Sequence, residues 1–443
     1  MRHLAPVKGP SVSRVWRWLL LSCVSLLVAC GGGEDTAEVT DPSDISEPTD
    51  LSEPSDAADA TDASDPTGAI DVSDATDSGD PSDSTVTVDP SEPVPASGYL
   101  SVSGTALINH RGEGVRLTGV NWFGFETEVM LPHGLWSRLH DEMLAQVIAL
   151  GFNSIRLPFS NEMLASEQEV ETVDPRLTGL TPLEAMDVIV ATAGELGLRI
   201  VLDNHSRASD AYLTETLWYT PTFSEEDWIR DWVSLAERYK NNPTVVAFDL
   251  NNEPHGDATW GTGNQASDWK LAAERCAEAI HAVNPDVLII VEGVEVVNGT
   301  YYWWGGNLRG VLDAPVEISA ANKLVYSAHD YGPEIYEQAW FSDPNYPDNL
   351  SLIWDDYFGF IMNNGLGHLY LGEFGIKEVN GADGRAMQWF ESLLAYMGDS
   401  YSWAFWSLNP NSGDTGGILM DDWESVEEWK VDALQPFMAP LLD

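Results

Sequence analysis

Two glutamates sit in settings that are hard to explain by packing alone. Glu253 lies in Asn252-Glu253-Pro254, directly after the strongly β-forming run 245–250, and Pro254 marks the place where strand pairing must stop. Glu373 closes a second run in the same way, within Tyr370-Leu-Gly-Glu-Phe-Gly375. A pair of carboxyl groups placed on either side of a bond can divide the work of hydrolysis. One protonates the leaving oxygen, and the other attacks the carbon or activates water; glycosidic bonds are cut in this way. Other polar residues end apolar runs as well: Asn121-Trp122, Arg156, His205, Asn251-Asn252, His329-Asp330-Tyr331 and Trp406. One such residue would be structural, but seven such strand ends together require a common destination.

The elements that must carry them alternate along the chain. Short apolar runs at 117–123, 154–159, 199–203, 245–250, 287–292, 324–328, 369–374 and 402–407 read as strands. Amphipathic stretches at 139–150, 182–196, 225–239, 269–283 and 385–396 read as helices between them. Eight buried-type strands in βα alternation predict an α/β fold, a (β/α)8 TIM barrel, with 99–116 as a short N-terminal β-hairpin plugging its bottom. A doubly wound open sheet shows a similar alternation, but it usually brings a glycine-rich phosphate loop after the first strand, and none is there. In a barrel all eight C-terminal strand ends share one face, so the polar residues above converge on one cleft.

The 443 residues divide into three segments. Residues 1–30 predict a lipoprotein export signal: Arg2, Lys8, Arg14 and Arg17 precede an apolar run from Trp18 to Ala29, too short to span a bilayer. The run ends Leu27-Val-Ala-Cys30, followed by three glycines, which resembles a lipobox and makes Cys30 the expected lipid anchor. Residues 31–98 form a segment of Asp, Ser, Pro, Thr and Ala with 19 acidic residues and no Lys or Arg. Such a composition cannot bury enough apolar surface to offset ordering, and a disordered linker is expected. Residues 99–443 remain as the catalytic domain. With those 19 acids and the four bases before Cys30 set aside, 52 acids against 17 bases leave the remainder at −35 out of −50 for the chain. Nucleic acid and anionic membrane surfaces are thereby excluded as partners, because phosphate binding relies on Lys and Arg. The 18 tryptophans suit a cleft in which sugar rings stack on flat aromatic faces, and the competing reading is that they fill a large core. With Cys30 and the signal-segment Cys23 accounted for, Cys276 stands alone, so no intramolecular disulfide framework or cysteine-based zinc site is expected.

In order and spacing, the chain resembles glycoside hydrolase family 5 of the cellulase type. The matching stretches are Gly119-Val-Asn-Trp-Phe-Gly-Phe-Glu126, Ser154-Ile-Arg-Leu-Pro-Phe159, Asp249-Leu-Asn-Asn-Glu-Pro-His255, Tyr326-Ser-Ala-His-Asp-Tyr331, Leu371-Gly-Glu-Phe-Gly375 and Trp403-Ala-Phe-Trp-Ser407. Tyr302-Trp-Trp-Gly-Gly-Asn307 and Ser412-Gly-Asp-Thr-Gly-Gly-Ile-Leu419 add a likeness to bacterial endo-β-1,4-glucanases. The resemblance implies a retaining enzyme with Glu253 as acid/base on the fourth barrel strand and Glu373 as nucleophile on the seventh. It implies that Asn252 bonds the sugar 2-hydroxyl, that Tyr331 bonds the nucleophile, and that His205 and His329 hold hydroxyls or orient carboxylates. Arg156 is expected beside Glu373, and Trp406 under the sugar at the point of cleavage. Trp122, Trp218, Trp303 and Trp304 are expected at neighbouring subsites, with loop packing as the competing reading.

The sequence departs from some cellulases of this type, which carry cysteines in the loops after strands three and four; here those loops, from Asn204 and Trp260 onward, have none. The same scaffold could cut β-mannan, xyloglucan or β-1,3-glucan, because specificity lives in the loops. A noncatalytic surface carbohydrate-binding protein is a more distant alternative, and it would be marked by loss of either glutamate. No G-x-S-x-G elbow and no H-E-x-x-H helix is present, so no cofactor or metal is expected. The expected partner is a β-glucan, with membrane contact only through Cys30, and a monomer is expected.

Overall fold

The computed structural model describes residues 96–442; residues 1–30, where an export signal is expected, with Cys30, and all of the acidic segment before Ala96 lie outside the described residues. The chain begins with a small antiparallel sheet, β1 (Ser101–Ser103), β2 (Ala106–Ile108) and β3 (Gly114–Val115). This corrects the hairpin by one strand, because Gly114–Val115 pairs back onto Leu107 and Ile108. The barrel opens with β4 (Thr118–Asn121), β5 (Ser154–Ser160), β6 (Arg199–Ser206), β7 (Val245–Asp249) and β8 (Leu288–Glu292). A two-stranded excursion follows, β9 (Val296–Val297) and β10 (Thr300–Tyr301). The barrel then resumes with β11 (Leu324–His329), β12 (His368–Glu373) and β13 (Ser402–Phe405), and β13 pairs with β4 to close eight parallel strands.

The helices start where the local chemistry says they should. After α1 (His140–Ala149) and the short α2 (Asn161–Leu164), α3 (Pro182–Glu195) opens on a reciprocal cap between Thr181 and Glu184, with Pro182 at its first position. The next, α4 (Glu225–Arg238), uses the same device with Ser224 and Asp227. Cys276, in α5 (Trp269–His281), is fully buried, and burial pushes its thiol pKa well up, as fits an inert packing residue. Between β11 and β12 the chain is helical from Leu350 to Asn363, as α6 (Leu350–Trp354) and α7 (Phe360–Asn363) on either side of a π turn. That turn breaks the 3.6-residue period, which hides the helix from a periodicity reading. The remaining helices are α8 (Arg385–Met397) and α9 (Glu428–Leu434).

The N-terminal sheet seals the lower end of the barrel. Leu100, Val102, Leu107 and Leu117 pack with the buried Val201, Ala247, Ile290, Tyr370 and Ala404 of the strands. Lys323, just before β11, donates from Nζ to the Leu100 carbonyl at 2.7 Å, and Val102 N–H donates to the Asn322 carbonyl at 2.8 Å. With the barrel interior closed by side chains at that end, its open mouth is at the C-terminal end of the strands.

Candidate active site

Four barrel strands reach the cleft floor with a charged residue on the inner face. Strand β5 supplies Arg156; β6 supplies Asp203 and, two residues on and therefore on the same face, His205. Strands β7 and β8 contribute Asp249 and Glu292. All are buried, and the fully buried Arg156 organises them. Its Nε donates to Asp249 Oδ2 at 3.0 Å. Its Nη1 donates to Asn121 Oδ1 at 3.1 Å and to Glu373 Oε1 at 2.8 Å. Its Nη2 donates to Asn252 Oδ1 at 2.9 Å and to Glu292 Oε1 at 3.2 Å, with Asp203 Oδ1 a further ion-pair partner at 3.1 Å. A guanidinium has five N–H groups, and here all five are used.

The two glutamates are held from different sides. Glu373 receives Arg156 on one oxygen and the Tyr331 hydroxyl on the other, at 2.7 Å. Glu253 receives His329 Nδ1 at 2.9 Å. A register shift between β11 and β12 at Ala328/His329 brings His329 opposite Glu373, so the imidazole stands between the two carboxyl groups. Oxygens of Glu253 and Glu373 and a ring nitrogen of His329 lie within 4.8 Å of one another. Facing oxygens this close suit a pair in which one carboxylate attacks directly while the other acts as acid and base.

Glu253 occupies its position at a conformational cost. Its φ is +47°, left-handed backbone that costs a non-glycine residue about 1–3 kcal/mol. Two hydrogen bonds offset this: its N–H donates to Glu292 Oε2 at 2.8 Å, and its carbonyl accepts His255 Nδ1–H at 2.7 Å. Gly305 permits the first of these, since a Cβ there would stand 2.2 Å from Glu292 Oε2 and 3.2 Å from Glu253 Cα.

The buried charges shift one another. Burial would raise the Asp203 pKa, but Arg156 and His205 hold it below the ordinary range. Burial, reinforced by Glu292, pushes Asp249 well up despite Arg156. For His329, burial favours the neutral ring, yet Glu292, Glu373 and the Glu253 hydrogen bond together raise its pKa well above the ordinary value. His205 is raised in the same way, chiefly by Asp203 against the effect of burial, through a 2.6 Å contact to its Nδ1.

A cleft of about 790 Å³ opens over this floor. Glu253, Glu373, Tyr331, His205, Trp406, Trp303 and Trp304 line it. The Trp406 ring lies nearly parallel to Phe123 and to His205, with centroids 5.4 and 5.5 Å away, and its Nε1 is anchored on Ser412 Oγ. Trp304 is stacked on His255 at 3.7 Å, and Trp303 meets the Tyr331 ring edge-on at 6.0 Å. Arg156, Asn252 and His329 lie beneath this surface as supports. Because Asn252 Oδ1 accepts from Arg156, its amide orientation is fixed and its NH2 is the group left to donate.

Two expectations are corrected. Trp122 and Trp218 are fully buried and do not line the cleft. Trp122 follows the inward-facing Asn121, so alternation turns it away from the barrel axis, and its Nε1 donates to the His133 carbonyl. Trp218 packs with Trp228 and Trp269 and donates to Glu225. Asn121 reaches the cleft floor as its place at a strand end implies; Asp203, Asp249 and Glu292 are the site residues that the sequence reading misses, although they share a readable signal: an acid ending an otherwise apolar strand. Asp203, Asp249 and Glu292 have oxygens close enough to hold a cation, and the Arg156 guanidinium already fills that role.

The sequence profile described as cellulase (glycosyl hydrolase family 5) matches residues 109–412. An endoglucanase of Paenibacillus polymyxa is 45% identical over 353 residues, 78% of this chain and 88% of that protein. The major extracellular endoglucanase of Xanthomonas campestris pv. campestris is 42% identical over 352 residues, 77% of this chain and 71% of its own. Among solved structures, an endocellulase of Pyrococcus horikoshii in complex with cellotetraose is similar with a TM-score of 0.73 at 40% identity, covering 78% of this chain and 100% of that one.

The geometry makes a pH prediction. A raised folded-state pKa means that the stabilisation from His329 is complete below its unfolded value of ~6.5 and is lost as pH rises through the folded value. The difference in melting temperature between wild type and His329→Gln is therefore expected to be largest below pH ~6.5 and to shrink as pH rises above it. A difference that is constant or widens with pH would contradict the assigned charge state.

Proposed function

The chain belongs to glycosyl hydrolase family 5, and from that premise we propose that it is a retaining endo-β-1,4-glucanase acting on β-1,4-linked glucan. The observation that carries the reading is the pair of carboxylates with facing oxygens within 4.8 Å on the floor of an aromatic cleft, each held by different partners.

Glu373, bonded by Arg156 and Tyr331, is aimed as a nucleophile at the anomeric carbon of the sugar over Trp406. Glu253 must carry a proton in the first step and deliver it to the glycosidic oxygen, and His329 fixes the direction in which that carboxyl points. Attack forms a glycosyl ester on Glu373 and neutralises its charge. Glu253, now ionised, takes a proton from the incoming water, whose oxygen displaces the ester and regenerates both groups. The Asn252 NH2 is available for the 2-hydroxyl, a contact that strengthens as the ring flattens toward the oxocarbenium-like transition state. Relatives described as endoglucanases and a neighbour bound to cellotetraose support the choice of β-1,4-glucan.

The sequence reading of residues 1–30 supports a further part of the proposal, that the protein is exported and tethered to the bacterial cell envelope through a lipid on Cys30. Cys30→Ser is expected to move the protein from the membrane fraction to the soluble fraction; full retention in the membrane fraction would count against the tether.

The two glutamates are separable by kinetics. Glu373→Gln is expected to lower turnover of carboxymethyl-cellulose and of an activated aryl cellobioside alike, by about four orders of magnitude or more. Glu253→Ala is expected to lose about 10²–10⁴-fold on the polymer. It should keep a fast glycosylation step on the activated aryl cellobioside and be rescued by azide. Azide rescue of the Glu373 variant with a β-product would exchange the roles.

A further inference from the structure

Glu126 stands in the cleft wall with no part in the two-carboxylate chemistry. It follows β4 in the loop Phe123–Glu126 and is only 3% exposed, yet it lines the cleft. Its Oε2 accepts the Gly124 N–H at 2.7 Å, and its main-chain carbonyl accepts the Asp210 N–H at 2.9 Å, so both backbone and side chain are fixed. The other carboxyl oxygen has no hydrogen-bond partner among the described residues. That oxygen is thereby held in a fixed position and left open to the cleft, available to a ligand.

Its surroundings identify what that ligand would be. His205, whose ring is parallel to the Trp406 platform, lines the same wall, and each of His205 and Glu126 acts on the other's ionisation. Phe123 lies flat beside Trp406 on the same side. A hydroxyl on the edge of a sugar stacked on Trp406 is therefore offered to Glu126 and His205 together.

We propose that Glu126 is a specificity-determining residue, hydrogen-bonding a ring hydroxyl of the glucosyl unit over Trp406 as a donor through its free carboxyl oxygen; this rests on the β-glucanase reading above. Its ionisation is consistent with donation. Burial, only partly offset by His205 and the Gly124 N–H and reinforced by Asp203, pushes the carboxyl up to about 7. Other titratable groups on the same cleft wall are His133, Asp210, Tyr212 and Asp414, and the Tyr212 hydroxyl is itself raised by burial first, then by Asp414, Asp210 and Glu126. Below that pH the group keeps a proton to donate while Oε2 goes on accepting from Gly124. Glutamine reproduces this arrangement with an amide N–H and cannot ionise.

The test compares wild type, Glu126→Gln and Glu126→Ala on cellopentaose, with kcat/KM followed across pH. Glu126→Ala is expected to lose about ten- to hundredfold. Glu126→Gln is expected to stay within about threefold of wild type under acidic conditions, and its ratio to wild type should rise as pH passes through 7, where wild-type Glu126 ionises. Taking the ratio cancels the titrations of groups shared by both proteins. Direct contact predicts further that the alanine penalty disappears for one aryl cellobioside lacking a single hydroxyl on the ring over Trp406. A thermal melt shows whether Glu126→Ala is folded; if it is not, the glutamine ratio decides alone. A flat ratio with both variants within about twofold of wild type would overturn the inference and leave the glucanase reading standing. Wild-type inactivity on every β-1,4-gluco-oligosaccharide would overturn both.

Discussion

The structure depends on one saturated guanidinium. Arg156 spends its five N–H groups on Asn121, Asp249, Asn252, Glu292 and Glu373, which come from four different barrel strands or the turns that end them. A planar fork with fixed donor directions cannot satisfy all five unless each partner is in place, so it converts barrel closure into the geometry of the site. Lysine would keep the charge and lose that function. The arrangement also explains how so many acids can be buried at one end of a barrel. They are not left to repel: Arg156 and the imidazoles of His205 and His329 stand among them, and burial, with Glu292, raises the Asp249 pKa well above the ordinary range. Removing Arg156 would leave uncompensated charge in a dry core, which is more costly than never having built the pair.

The second layer is built on the first. Glu292 accepts from Arg156 on Oε1 and from the Glu253 N–H on Oε2, so the same carboxylate that helps seat the guanidinium pins the strained backbone at Glu253. Asn121 accepts from Arg156 and donates to the Gly372 carbonyl at 3.0 Å, directly before Glu373. Arg156 thus reaches Glu373 both directly and through Asn121, and Glu253 through Glu292. Rigid elements set these positions, while Trp303 and Trp304 come from the connection after β8, where no long helix forms and a 3-10 turn at Arg309–Leu312 takes its place. Chemistry placed on strands and substrate contacts placed on loops is the division of labour expected of this fold.

Most of the scaffold was legible because the strands are short apolar runs with polar ends and the helices carry their own start signals. Predicted helices such as 182–196 and 225–239 differ from the observed ones by a single residue at the C-terminal end. What could not be read has physical reasons. The third strand of the N-terminal sheet is two residues long. The helix from Leu350 is interrupted by a π turn. Trp122 and Trp218 carry the right residue type for a sugar platform, but a tryptophan does not declare whether its face meets ligand or core. One residue of phase along β4 decides it for the former, and the packing of α4 and α5 for the latter. Arg156 was placed near Glu373 in advance, yet its other carboxylate partners were not, because pairing across a barrel depends on the register of strands far apart in sequence.

The account turns on Glu373 forming a covalent bond to the sugar, and trapping that bond tests it most directly. The protein would be incubated with an activated 2-deoxy-2-fluoro cellobioside, which slows release of the intermediate, then digested and sequenced by mass spectrometry. The account predicts a single fluorocellobiosyl adduct on the peptide that contains Glu373. An adduct on Glu253, or turnover that proceeds without any adduct and releases the inverted anomer, would contradict it.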